Sequence, residues 1–166
     1  MRNFQTVNYI RCLIAVIFCT LIISFTFIGI ITGLLNRDAS APLTGITVFR
    51  YFTVLSALFI NACAILCVPF SVNGLITRNY HLPRWIVTLL YIGVTCTTVT
   101  FIICALVFVP SQGLYKTFLA KDPLYLHFLC PMFALLLFLT VNVDHKIKRS
   151  RIFIAAAPTV IYMIIY

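Results

Sequence analysis

Five long apolar runs, at roughly 12–35, 47–69, 85–109, 123–141 and 152–166, constrain this chain more than any other feature of it. An α-helix rises about 1.5 Å per residue and the bilayer core is about 30 Å thick, so a spanning helix needs about 20 residues. The first three runs exceed that length and the fourth just meets it. The fifth, 15 residues long, rises only about 22 Å and is too short to cross unaided. The expected fold is all-α: one integral membrane domain over 1–166, a polytopic bundle of transmembrane helices whose fifth member is short.

Composition agrees. The 166 residues are 63% hydrophobic and 9% charged, where soluble domains carry about a quarter charged residues. Twelve Lys and Arg against three acids give a formal charge of +9. In a soluble protein that excess would point to nucleic acid. Here the cations flank apolar runs, where they set orientation and meet lipid head groups, and a nucleic-acid partner is excluded. Arg2, Arg11, Arg78, Arg84, Lys146, Lys148, Arg149 and Arg151 fall on one side of the alternating spans. Arg37, Arg50, Lys116 and Lys121 fall on the other. Eight cations against four place the N-terminus in the cytoplasm.

The first run begins with basic residues and is followed by Ala39-Ser40-Ala41, which resembles a signal-peptide cleavage site. Signal cores run about 7–15 residues. This one is longer, so a retained first span is expected. Gly29 and Gly33 form a small-xxx-small pair suited to close helix packing. The seven cysteines all lie in or beside apolar runs, as small buried apolar residues do. Cys63 and Cys67 share a helix face, yet the nearest histidine, His81, lies beyond a loop holding Pro and Gly. No metal site and no cofactor is expected.

The informative residues are polar ones inside the spans. With the N-terminus inside, the second and fourth spans both run inward. Thr53 then lies about 9 Å, and His127 about 6 Å, from the same membrane face. An ionisable group in a span is a functional hypothesis by default. Pro131 has no N–H to offer the carbonyl four residues earlier, which belongs to His127, so a bend is expected there. On the third span Thr88, Tyr91, Thr95 and Thr98 make one polar seam, suited to packing or to a cavity wall. Arg50, one turn before Thr53, is placed to snorkel or to hold an acidic ligand group. His81 and His145 are expected to be solvated loop residues.

"FRYFTVLSALF" (49–59), "HLPRW" (81–85), "LYLHFLCPMFALLLF" (124–138) and "PTVIY" (158–162) resemble bacterial six-span membrane proteins. Those are distantly related to the androgen-induced and androgen-dependent TFPI-regulating protein family. The resemblance implies a bacterial cytoplasmic membrane and a C-terminally shortened form that ends inside the fifth span. The eukaryotic members hydrolyse fatty acid esters of hydroxy fatty acids within the membrane, using a threonine nucleophile and a histidine. By the resemblance these correspond to Thr53 and His127, with Arg50, Ser56, Tyr91, Thr95 and Thr98 as candidates for the substrate pocket. One departure is that Ser56 is followed by Ala57, where bacterial relatives often carry Asn.

Two functions of different class follow as expectations. One is an intramembrane lipid or fatty-acid-ester hydrolase whose partners are membrane lipids. The other is a non-enzymatic membrane protein, a transporter component, accessory subunit or pseudoenzyme, in which the same polar residues serve packing. The scarcity of acids within the spans argues against ion-coupled transport.

Overall fold

The computed structural model describes residues 2–35, 50–79, 81–119, 123–141 and 150–165. Among these residues four helices are long and apolar enough to cross a membrane. α1 spans Arg2–Leu35, α2 Phe52–Thr77, α3 Arg84–Gln112 and α4 Leu124–Val141, and a shorter apolar helix, α5, spans Ser150–Ile165. Among the described residues there is no strand. Arg37, Ala39-Ser40-Ala41, Lys121, Asp122, His145, Lys146, Lys148 and Arg149 lie outside the described residues.

The four long helices form a closed ring. α1 packs on α2, α2 on α3, α3 on α4, and α4 returns to α1. Pairings between neighbours show that they alternate in direction. Ser56 on α2 meets Thr100 on α3, while the α2 pair Phe59 and Ile60 meets Gly93, a turn or two back along α3. Phe18 and Phe25 of α1 both stack on Phe133 of α4, and Phe25 also reaches Tyr125. Side chains at the centre of the ring, including Ile22, Ile60, Leu90 and Leu137, are fully buried. Ile17, Phe27, Ile76, Leu106 and Leu139 face outward and are exposed. In hydrocarbon such residues cost nothing, because lipid tails solvate them as well as a core does.

α1, α2 and α3 outrun the apolar runs that announced them. α2 begins at Phe52 and continues beyond Pro69 to Thr77. A proline inside a transmembrane helix is tolerated because neighbouring helices re-satisfy the backbone group it frees. α5 lies against α3, where Thr159 donates to the Cys96 thiol at 3.9 Å. Its far end is fastened to the start of α2. The Tyr162 hydroxyl donates to the Arg50 carbonyl at 2.7 Å, and the Tyr162 ring stacks on Phe52 at 4.9 Å. A helix of 16 residues thus reaches the face where α2 begins. All seven cysteines are free and buried, with the Cys67 thiol turned to Cys19 across the α1–α2 seam.

Candidate functional site

His127 lies in a widened stretch of α4. Leu124–Leu129 is π-helical and passes into regular α-helix at Cys130, whose N–H bonds the carbonyl of Tyr125. The same device occurs in α3, where Cys104–Phe108 is π-helical and Val109 N–H bonds Cys104. Both of these π segments end two residues before a proline, Pro131 or Pro110; the third, Tyr115–Leu119, does not. A proline ring clashes with the carbonyl four residues back and gives it no donor. One extra residue per turn moves that carbonyl out of the ring's path. The bend expected at Pro131 therefore takes the form of a π-bulge, a feature often found at functional sites.

The His127 ring is half-buried, and its Nδ1 lies 3.2 Å from the backbone carbonyl of Thr117. A carbonyl only accepts, so Nδ1 carries the proton and donates. In the neutral ring Nε2 then holds the lone pair. This gives His127 what a catalytic base requires, an orienting group that selects the tautomer. The orienting group is a backbone carbonyl, not a carboxylate.

Thr117 is itself held in place. The third apolar run ends at 109 and the fourth begins at 123, but α3 continues to Gln112 and Tyr115–Leu119 forms a further helical turn. Gly113 joins them at φ 85° and ψ 156°, a conformation open essentially to glycine alone. The chain reverses there. Thr117 N–H and Oγ1 both bond the Gly113 carbonyl, at 3.2 and 2.9 Å. Phe118 completes the fold-back, its ring centroid 5.2 Å from Phe101 and 6.0 Å from Phe128. Thr117 and Phe118 are buried, although they lie between two apolar runs.

On the far side of the π segment, α1 comes unusually close. A Cβ on Gly29 would lie 2.6 Å from Leu126 Cγ and 3.2 Å from Tyr125 Cβ. Gly29, read from sequence as half of a close-packing pair, meets the two residues that precede His127.

Thr53 lies in the first turn of α2 and is half-buried. Its carbonyl accepts from Ser56 Oγ at 3.0 Å. Ser56 Oγ also meets Thr100 Oγ1 at 3.3 Å, and Thr100 donates to Cys96 O at 3.1 Å. Each hydroxyl has one proton. Thr100 gives its own to Cys96, so the Ser56 proton is shared between Thr53 O and Thr100 Oγ1. Ser56 is thus a link between α2 and α3. Phe128, beside His127, lies 6.2 Å from the Phe101 ring. Thr53 and His127 are accordingly held near the same stretch of α3, Thr100–Phe101, from its two flanks. The π segment touches α2 directly. Among the described residues no hydrogen bond joins the Thr53 hydroxyl to the His127 ring.

The other candidates are dispersed. Arg50 has an exposed side chain and contributes its carbonyl to Tyr162. Tyr91 stacks on Phe138 at 5.6 Å, about 16 Å of helix rise from the level of His127. The Thr95 hydroxyl donates to its own helix at Tyr91 O, 2.8 Å away, and Thr88 does the same to Arg84 O. Thr98 is half-buried on α3.

Sequence reasoning missed several polar groups inside the bundle, Thr97 and Thr100 on α3 among them. Thr26 meets the Cys130 thiol at 3.7 Å, and among the described residues Asn61 Oδ1 and Ser71 Oγ are buried without a hydrogen-bond partner. Asn61 was visible as an amide within the apolar "LFINACAIL" stretch. Thr117 left no such signal, since its contribution is a carbonyl that every residue possesses. No protein-family model, no curated protein and no solved structure matches this chain.

Proposed function

We propose that this membrane protein hydrolyses esters of membrane lipids, with Thr53 as nucleophile and His127 as general base. The observation that carries the reading is the hydrogen bond from His127 Nδ1 to the Thr117 carbonyl. It leaves Nε2 as the free base, at the end of the bundle where α2 begins. In the reaction, Nε2 accepts the Thr53 Oγ1 proton as that oxygen attacks the ester carbonyl. The imidazolium returns the proton to the departing alcohol. Water, deprotonated by the same nitrogen, then releases the acid and restores the threonine. An ester near the head-group boundary lies at this depth, with its acyl chains along the apolar outer faces of the helices. The resemblance in "YFT" and "LYLH" to the Thr/His ester hydrolases supports the same pair.

The test is covalent labelling of the purified, lipid-reconstituted protein by an alkyl fluorophosphonate. Wild type should label, while Thr53→Ala and His127→Ala should not, with membrane insertion unchanged in all three. Labelling that persists in Thr53→Ala sinks the assignment.

A second reading, a non-enzymatic helical membrane protein, draws on a different observation. The Thr88, Thr95, Thr97 and Thr100 hydroxyls all return to carbonyls of their own helix, and Ser56 and Thr100 bridge two helices, as packing residues do. Absence of labelling in wild type, with intact folding, favours this reading.

A further inference from the structure

The segment Gly113–Leu119 does two things at once, and together they define an interaction surface. α3 carries 29 residues from Arg84 to Gln112. At an ordinary tilt of about 20° it rises about 41 Å, the thickness of a bilayer with both head-group regions included. Trp85, 54% exposed, lies at the start of that helix, where an indole anchors at the membrane boundary. Gly113 therefore falls at head-group level on the opposite face, and the turn it makes sends Leu114–Leu119 back along that boundary. The side chains of this segment divide accordingly. Thr117 and Phe118 are buried against the π segment of α4 and the end of α3. Leu114, Tyr115 and Leu119 are exposed large apolar residues, Tyr115 by 69%, with Lys116 exposed between them. Apolar bodies beside a phenol and an ammonium match the boundary between head groups and acyl chains.

We infer that Gly113–Leu119 is an interfacial lid: its outer face takes the phospholipid head-group boundary, and its inner face holds His127 through the Thr117 carbonyl. Gly113 is the turn on which the lid would move, and among the described residues nothing lies within 4 Å of the space a Cβ there would fill. Lifting the lid breaks the His127–Thr117 hydrogen bond and releases the ring from the tautomer that leaves Nε2 free. A lipid surface thus keeps the base set. The seat of the lid in the interface is independent of the hydrolase reading; its effect on turnover rests on it.

The chain has one tryptophan, which makes the seat measurable. In phosphatidylcholine vesicles the double variant Trp85→Phe, Tyr115→Trp should be quenched about twofold more by lipids brominated near the ester than by lipids brominated near the chain end. No quenching, or stronger quenching from the deep bromines, overturns the interfacial seat. Buried cysteines that stay unreactive to maleimide show that the variant is folded. The hold on His127 is read by diethylpyrocarbonate modification mapped by mass spectrometry, with exposed His81 as internal standard. Leu114→Asn with Leu119→Asn should raise His127 modification severalfold relative to His81. An unchanged ratio refutes the coupling. Neither readout uses activity. Shallow quenching without fluorophosphonate labelling leaves the lid standing and removes the hydrolase; labelling without shallow quenching does the reverse.

Discussion

Replacing Gly29 with alanine places a methyl group where α1 and the π segment of α4 already touch. The new carbon would lie 2.6 Å from Leu126 Cγ, 2.8 Å from its Cδ2 and 3.2 Å from Tyr125 Cβ. Carbon atoms rest at about 3.5–4.0 Å, so Leu126 must retreat by about 1 Å. Its Cγ moves only by rotation about χ1 or by displacement of the backbone. The backbone here is the bulge that carries His127, clasped from the other side by Phe101 and Phe118. Overpacking of this kind costs about 1–3 kcal/mol, against about 1 kcal/mol gained when alanine replaces glycine in a helix. The net is a loss of up to about 2 kcal/mol, and Gly29→Val loses more. Gly93→Ala is the matched control. Its nearest neighbour is Ile60 Cδ1 at 2.8 Å, a terminal methyl that turns on χ2, with Phe59 Cδ1 next at 3.3 Å, so the loss there should be smaller. For a chain of this size each kcal/mol moves the melting point by about 2–4 °C. The assay is thermal unfolding in detergent with a thiol-reactive fluorophore, since all seven cysteines are buried and become reactive on unfolding. Gly29→Ala should melt several degrees below Gly93→Ala. If both melt at or above the wild type, the close approach of α1 to Leu126 is wrong.

Two further outcomes are expected. In a double-mutant cycle, Ser56→Ala and Thr100→Val should couple by about 0.6 kcal/mol and at most about 1.7 kcal/mol, the range for interhelical hydrogen bonds in membranes; additive losses mean that the two hydroxyls do not interact. The cation count predicts that an impermeant maleimide labels Ser111→Cys from outside intact cells, and Asn79→Cys only after permeabilisation. The opposite pattern inverts the topology.

Particular residues show how far the sequence could be read. Apolar run length located the five apolar helices α1–α5, because a span must cover a fixed thickness, but it misjudged ends and passed over Tyr115–Leu119. α2 was expected to stop near Pro69 and runs to Thr77, since a membrane helix tolerates a proline that would break a soluble one. Pro131 marked a distortion at His127 correctly, yet whether a proline gives a kink or a π-bulge depends on what packs beside it. Pro69 and Pro158 sit within regular α-helix. The polar seam of α3 was legible as a face. Its hydroxyls bond mostly to their own helix, because an i−4 carbonyl is always within reach of a threonine.

The amino-acid order by itself determined that this chain is a bundle of apolar helices, and it put Thr53 and His127 near the starts of two spans that run the same way. Both follow from one-dimensional quantities, residue count against bilayer thickness and position along a span. Tertiary structure alone decided that Gly113 folds Tyr115–Leu119 back over the bundle, and that the partner of His127 is the main chain of Thr117. A backbone carbonyl is identical at every residue, so only the path of the chain in space selects which one the ring meets.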